Sequence, residues 1–398
     1  MVGIHGRVIG LSRGLVISSV GHTVNPITIL NEKETEMATL YVTETGVQVH
    51  KQGQRLIVKR GPEVLQDIPM IKVDRVVVIG KGVNISTPTL ITLTRRRVPV
   101  NFTCGMTVLG REHRHSRLRM LQALAVNDSA RAMAIAQAIV SGKVNNQRVL
   151  VQRHAGGATG ARNALATMDH MRRQVDSAQN LDELRGREGM AAKEYFHLLR
   201  LILRPPSDGR SWGFERRAYY PPTDPINALL SFGYTLLLND LVAACQISGL
   251  DPDLGFFHAI DYNKPAMALD LEEEFRPIIV DSIVLAAANR PLFNLSDFEV
   301  GHPSQPNDED EDQDVPHLSL PFPKDGRWDG GEGVRPIYLK ETSRVRFINL
   351  YEARINEQIL YPATGEQTSY RRIFELQAYR LVRVILGEVK DYVPFMVR

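Results

Sequence analysis

From Thr39 to Thr103 apolar and polar residues alternate or fall in short β-branched runs bounded by turn residues, the period-two signature of strands. TLYVT, GVQVH and RLIVKR, separated by ETG and KQGQ, predict a meander of hairpins. RVVVIG at 75–80, LITLT at 90–94 and VPVNFT at 98–103 continue it as further strands. From about Arg111 the period becomes helical: LRMLQALAV and ARAMAIAQAIV place apolar residues every three or four positions up to Gly142. HAGGATGARN at 154–163 interrupts the pattern. Its glycines lack the Gly-Lys-Ser/Thr ending and the preceding strand of a phosphate loop, so it predicts a flexible connection. Helical periodicity resumes at about 164–176, 181–203, 225–248, 266–290, 340–361 and 367–386.

Strands first and helices after define an α+β chain, a small N-terminal β-sheet domain followed by a larger all-helical domain. The expected division is an extension of weak pattern at 1–36, a β-rich domain at 37–108 and a helical domain at 109–398. Residues 301–336, rich in Pro, Gly and acids with little apolar periodicity, read as a mobile insertion within the helical part.

Composition changes this picture little. Over 398 residues, 43% hydrophobic and 23% charged content is that of an ordinary globular protein with ample core. The two cysteines, Cys104 and Cys245, are far apart and lack metal-ligand spacing, which fits a reducing compartment and no cysteine zinc site. LVISSV is too short for a signal sequence, and no segment reads as a membrane span, so a cytoplasmic protein with no membrane partner is expected.

Charge says more. The run DEDEDQD at 308–314 holds six acids, so the rest of the chain carries +9 against a total of +3. Arginines cluster at 95–97, 111–119 and 216–217. Such a surface suits a polyanion, although on charge alone a solvated basic face explains it as well.

Three stretches carry candidate chemistry. LRGREGMAAKEYF at 184–196 holds Glu188 near the start of an amphipathic helix. RRAYYPPTDPINALLSFGYTLL at 216–237 joins Arg216, Arg217, Tyr219 and Tyr220, a mixture of cations and stacking rings found at nucleic-acid ends, to a helix containing Tyr234. GFFHAIDYNKPAMALDLEEEFR at 255–276 sets His258 in a loop before a helix with Asp270 and Glu273 three positions apart on one face. Two carboxylates and an imidazole would suit Mg²⁺ or Mn²⁺ and phosphodiester chemistry. Asp270 could join that shell or orient His258; Glu272 is expected in solvent, and Glu274 stays open as a ligand. Spacing alone favours a packed loop histidine and an exposed acidic helix face, and it does not tie Glu188 to the other two. His113 and His115 in REHRHSR have no partner pair and read as a basic helix start.

In this order the stretches closely resemble the CRISPR-associated integrase family, which reads LRGxEGxAAxxYF, RPPxDPxNAxLSFGYxLL, GxDPxxGFxH and LALDLxEEFRPxxVD. The corresponding segments here are LRGREGMAAKEYF, PPTDPINALLSFGYTLL, GLDPDLGFFH and MALDLEEEFRPIIVD, and the match extends to GKVNNQRVL at 142–150 and SYRRIFELQAYRL at 369–381. The resemblance covers Met37 to the C-terminus. It implies a β-rich dimerisation domain and a helical catalytic domain, with Glu188, His258 and Glu273 as ligands of Mg²⁺ or Mn²⁺ and Asp270 as a nearby acid linked to activity. It places Tyr234 where the family has an aromatic supporting the incoming DNA end. It also implies a homodimer, a small CRISPR-associated companion protein, and transesterification joining the 3′-hydroxyl of a short DNA fragment to a CRISPR repeat. A non-catalytic DNA-binding scaffold and a small-phosphoester hydrolase are the alternatives. The chain departs from the family in residues 1–36, which precede its usual start, and in the long acidic segment 301–336, expected to be inert toward DNA.

Overall fold

The computed structural model describes residues 15–17, 38–80, 82–102, 107–108, 115–155, 160–218, 221–261, 264–301 and 335–397. Its N-terminal part holds β1 (Leu15–Ile17), β2 (Ala38–Val42), β3 (Gln48–Gln52), β4 (Arg55–Arg60), β5 (Glu63–Pro69), β6 (Val73–Val78), β7 (Asn84–Ile85), α1 (Thr87–Arg95), β8 (Val100–Phe102) and β9 (Thr107–Val108). These strands make two sheets, ordered β5-β4-β3-β7 and β1-β2-β6-β8-β9. Only β3, β4 and β5 form the expected meander, turned at Gly53 with φ +60, a conformation open to glycine. In the other sheet β2, β6 and β8 run parallel. From the N-terminal extension, Leu15–Ile17 pairs parallel with β2.

LITLT is not a strand. It lies in α1, which starts behind Ser86 with a proline in its first turn, a placement whose fixed φ suits a helix start. Thr92 and Thr94 return their hydroxyls to the carbonyls of Pro88 and Leu90 at 2.7 and 3.0 Å, and Leu93 is buried in the β core. Five β-branched and leucine residues fit either period, and the flanking start signal decided.

Strand alternation divides the cores. Leu40, Val42, Val76 and Val78 pack with Val47 and with Val49, Leu56 and Val58 of the β5-β4-β3-β7 sheet, while Tyr41 and Val77 join the helical core. Central strands covered on both faces are thereby explained.

The helical part holds α2 (Ser116–Asn127), α3 (Ser129–His154), α4 (Ala161–Gln174), α5 (Leu181–Ile202), α6 (Pro225–Ser248), α7 (Ala266–Phe275), α8 (Ser282–Asn289), β10 (Phe298–Val300), β11 (Ile337–Leu339), α9 (Glu341–Ile355), β12 (Gln358–Tyr361), β13 (Glu366–Ser369) and α10 (Tyr370–Ile385). It is mostly but not wholly helical. The hairpin β12–β13 takes the end expected for one helix and the start expected for the next. α3 does not stop at Gly142 but runs on to His154, because glycine costs a helix only about 1 kcal/mol. The pattern at 266–290 is broken by a π-helical turn over Pro277–Asp281, where Pro277 lacks an N–H and Asp281 N donates to Arg276 O at 3.0 Å.

One segment does reach membrane-span length and hydropathy: α6, 24 residues long. Its window is 94% buried inside the protein, so it serves as the central core helix.

The two parts meet through buried charge. Arg75 of β6 pairs with Asp240 of α6, which also accepts from Tyr351 Oη at 2.6 Å. Arg371 donates to Glu352 at 2.6 Å and to Thr39 Oγ1 at 2.7 Å, and Tyr41 Oη donates to Glu352.

β10 and β11 pair antiparallel, and Gly301 N donates to Pro336 O at 2.7 Å. The acidic run and most of the expected insertion, residues 302–334, lie outside the described residues. Because the hairpin closes their two ends together, replacing 302–334 with a short Gly-Ser turn is expected to leave the melting midpoint within ~2 °C of wild type. If the chain binds DNA, as the family resemblance implies, its affinity and salt slope should also stay unchanged. A salt-titrated binding assay checks this, and a steeper slope would show the acids competing with DNA.

Candidate metal centre

The site forms where α3, α5 and α7 meet. Asp128 caps α3 by accepting from Ala130 N and Arg131 N at 3.2 Å, and Asn180 caps α5 by accepting from Glu183 N at 2.9 Å. All ten residues of α7 are buried, so its acids are not a solvated face.

Asp270 builds the loop that carries the histidine. Its carboxylate accepts from the backbone N–H groups of Phe256, Phe257 and His258 at 2.5, 3.0 and 2.9 Å. The same group faces His258 Nδ1 at 2.7 Å. The loop lies so close to α7 that a Cβ on Gly255 would sit 2.6 Å from the Ala266 carbonyl carbon, which is why glycine stands there. A carboxylate on Nδ1 keeps the proton on that nitrogen and leaves Nε2 as the acceptor. His258 Nε2 lies 3.6 Å from Glu273 Oε1.

Glu188 reaches the same point from α5. Lys143 of α3 places its ammonium 2.6 Å from Glu188 Oε1 and 2.6 Å from Glu273 Oε2. Glu188, His258 and Glu273, which spacing could not connect, thus converge from three segments. Among the described residues no three potential ligands stand in ready-made metal geometry, and the lysine ammonium lies between the two carboxylates. The donor chemistry nonetheless fits a hard divalent cation: two carboxylates that share one cation and an imidazole nitrogen 3.6 Å from the second of them. Burial would raise the Glu273 pKa, but the Arg276 guanidinium and the Lys143 ammonium outweigh it and hold the carboxyl well below its usual range.

If the cluster holds Mn²⁺, Asp270→Asn is expected to weaken its binding by about 10- to 100-fold in calorimetry, because an amide cannot accept from all four donors that surround the carboxylate.

Of the other two acids, Glu272 differs from expectation and Glu274, left open as a ligand, is used elsewhere. Glu272 is fully buried and accepts from Arg276 Nη2 at 2.6 Å; burial pushes its pKa up to about 7 against the pull of that arginine. Glu274 points away from the cluster. It accepts from Tyr392 Oη at 2.5 Å, Phe395 N at 2.8 Å and Gln377 Nε2 at 3.0 Å, and burial raises its pKa to about 7. Its task is to fasten the C-terminal segment behind the site. Asn146 helps, donating to Glu274 O at 2.9 Å and Phe395 O at 2.7 Å.

Beside the cluster, Arg276 donates to Glu273 Oε1 at 2.7 Å and lies 4.8 Å over the Tyr234 ring, with Arg217 at 5.2 Å. Tyr234 is buried in the core, and its hydroxyl donates to Asp281 at 2.6 Å. Tyr195 donates to the other oxygen of Asp281 at 2.5 Å. Burial raises the Asp281 pKa to about 6 although both tyrosines pull it back. Arg217 is half-buried, donating to Asn227 Oδ1 at 2.9 Å, and Arg216 is exposed. Tyr219 and Tyr220 lie outside the described residues. Sequence reasoning missed Lys143, Arg276, Asp281 and Tyr195. Arg276 was within reach, since it stands three and four positions after two acids on one helix; nothing in spacing singled out Lys143.

A two-sheet N-terminal part leading into a mostly helical body is an architecture seen in solved structures. The chain of "Casposase bound to integration product" matches with a TM-score of 0.71 at 19% identity, covering 91% of this chain and 95% of that one. A chain of a "Cas6-RT-Cas1--Cas2 complex" matches with a TM-score of 0.70 at 22% identity, covering 92% of this chain and 37% of that one. At such identities the likeness concerns the fold. The sequence goes further: residues 40–304 match the family described as CRISPR associated protein Cas1. "CRISPR-associated endonuclease Cas1 3" of Thermus thermophilus is 33% identical over 371 residues, spanning 91% of this chain and 98% of its own. The chain belongs to the CRISPR associated protein Cas1 family.

Proposed function

We propose that the protein is a divalent-metal-dependent DNA integrase and endonuclease, joining the 3′-hydroxyl ends of short DNA fragments to a CRISPR repeat by transesterification. The observation that carries this reading is that Glu188 and Glu273 each lie 2.6 Å from a shared cation while His258 Nε2 stands 3.6 Å from the other oxygen of Glu273. Glu188 Oε1, Glu273 Oε2 and His258 Nε2 would hold Mg²⁺ or Mn²⁺. A bound ion of this kind polarises a phosphodiester and activates an attacking hydroxyl.

The chain's own residues supply position. Asp270 fixes the imidazole so that Nε2 faces the cluster, and Arg276 holds Glu273 in place. Tyr234, buried with its hydroxyl committed to Asp281, lies under the Arg276 guanidinium and so helps to hold the arginine that positions Glu273. Exposed Arg95, Arg96, Arg97 and Arg216 suit the phosphate backbone. Exposed Val64 and Ile71 in the β-rich part support a homodimer formed through it. The matching chain of the Cas6-RT-Cas1--Cas2 complex supports a small companion protein. A reaction on a CRISPR array belongs in the prokaryotic cytoplasm.

Branched DNA carrying an already joined fragment tests the chemistry without any companion. With Mn²⁺ the protein is expected to reverse the joining and release the fragment with a free 3′-hydroxyl, while leaving nitrophenyl phosphate intact. Turnover of the nitrophenyl ester without action on branched DNA would point to a small-phosphoester hydrolase and contradict the proposal.

A further inference from the structure

We propose that Lys143 is a built-in counter-cation of the metal centre: its ammonium holds Glu188 and Glu273 together in the metal-free protein, and a divalent ion must displace it to bind. The inference rests on the proposed metal site and adds a competitor within the chain itself. Four observations support it.

The ammonium is 2.6 Å from an oxygen of each carboxylate, so it fills the space between the two residues that would serve as ligands. Its side chain is only 8% exposed, and water therefore offers little screening of its charge. A buried ammonium and a divalent cation sharing the same two carboxylates repel one another, and the carboxylates cannot serve both at full strength.

The third observation concerns the backbone below it. α3 cannot draw Lys143 away as a unit. A Cβ on Gly142 would lie 2.7 Å from the Pro394 ring, showing how tightly that turn sits on the C-terminal segment. One turn further on, Asn146 is bonded to Glu274 O, Phe395 O and Val397 N at 2.9, 2.7 and 2.9 Å. Release of the ammonium thus falls to rotation of the lysine's flexible four-carbon stem.

The last concerns Glu273, whose oxygens divide their partners. Oε1 has Arg276 at 2.7 Å and Oε2 has Lys143 at 2.6 Å. Arg276 is tied at its other nitrogen to Glu272 at 2.6 Å and lies over the Tyr234 ring, so it is anchored by groups outside the cluster. Between the two cations it is the lysine, held in the cluster by Glu188 and Glu273, that stands in the path of a metal. In the metal-free protein the same lysine prevents two nearby carboxylates from repelling each other.

Calorimetric titration of the full-length protein with Mn²⁺ tests the inference, using Lys143→Met, Lys143→Gln, Lys143→Arg and Glu273→Gln beside wild type. Melting midpoints in chelator provide the second readout. Lys143→Met is expected to bind Mn²⁺ about tenfold or more tightly than wild type and to melt lower in chelator, so that its metal-induced rise in midpoint is larger. Lys143→Gln, which keeps hydrogen bonding to both carboxylates, should also bind more tightly and covers the case in which the methionine variant does not fold. Lys143→Arg retains a cation and should bind no more tightly than wild type. A folded Lys143→Met or Lys143→Gln protein with equal or weaker Mn²⁺ affinity would overturn the counter-cation while leaving the metal site intact. If wild type binds no Mn²⁺, or binds it no better than Glu273→Gln does, the metal site itself fails and this inference falls with it.

Discussion

Glu273→Gln is expected to lower strand transfer by at least ~10³-fold in Mg²⁺ or Mn²⁺ while changing duplex DNA affinity by less than about twofold. Glutamine has nearly the shape of glutamate, and Arg276 can still donate to its carbonyl oxygen. The amide, however, supplies one neutral acceptor where Glu273 presents a full carboxylate, held ionised by Arg276 and Lys143 against its burial. On the proposed reading DNA affinity would arise elsewhere, from arginines spread over the surface, and counterion release at those positions would not depend on one buried acid. Gel-resolved transfer products and a binding isotherm on the same preparation measure both quantities. Transfer at wild-type rate would mean that Glu273 is not a catalytic ligand, and Glu274, the neighbouring acid, could not stand in for it, because it is committed to the C-terminal segment and faces away.

The largest loss of stability is expected from Asp240→Ala. Asp240 lies 5% exposed in α6, where it pairs with Arg75 and accepts from Tyr351. Removing the carboxylate leaves an arginine buried at the junction of sheet and helices without its direct ion-pair partner, with Asp74 as the acid that remains nearby. Breaking a buried pair from one side typically costs about 3–5 kcal/mol, a large part of the stability of an ordinary domain. Burial and the nearby Arg371 already lower the Arg75 pKa, so the surroundings offer its charge little shelter. Urea unfolding of the two proteins would show this as a reduced midpoint at similar slope. The double variant Arg75→Met with Asp240→Leu should recover much of the loss, because apolar residues can replace a buried pair at little cost. An undiminished midpoint in Asp240→Ala would mean that the pair does not hold the two parts together.

Much of this architecture was legible in the residues. Strands at TLYVT, RLIVKR and RVVVIG, and the helices at 181–203 and 225–248, stood out because their apolar periods are long or clean. LITLT failed for the opposite reason: five residues cannot separate two periods, and Ser86 and Pro88 held the answer. The parallel pairing of β2, β6 and β8 could not be read either, since nothing local to a strand names its neighbour.

The site divides in the same way. Spacing gave Asp270 and Glu273 a common helix face, but only the ordered family resemblance linked them to Glu188. Glu272 was expected in solvent because a helix with three consecutive acids ordinarily shows them to water. Here α7 is enclosed on every side, and Arg276 and the C-terminal segment each receive one acid that the cluster does not use. Lys143 was unreadable, because its meaning depends on two carboxylates 45 and 130 positions away.

Strand transfer into a supercoiled plasmid bearing the repeat, with labelled short duplex fragments and the companion protein, is the most direct measurement of the central claim. Covalent joining of the fragment's 3′ end at the repeat boundary is predicted in Mg²⁺ or Mn²⁺, with none in chelator and none from Glu188→Ala, His258→Ala or Glu273→Gln protein. Joining at wild-type yield in chelator, or from any of those three variants, would contradict it.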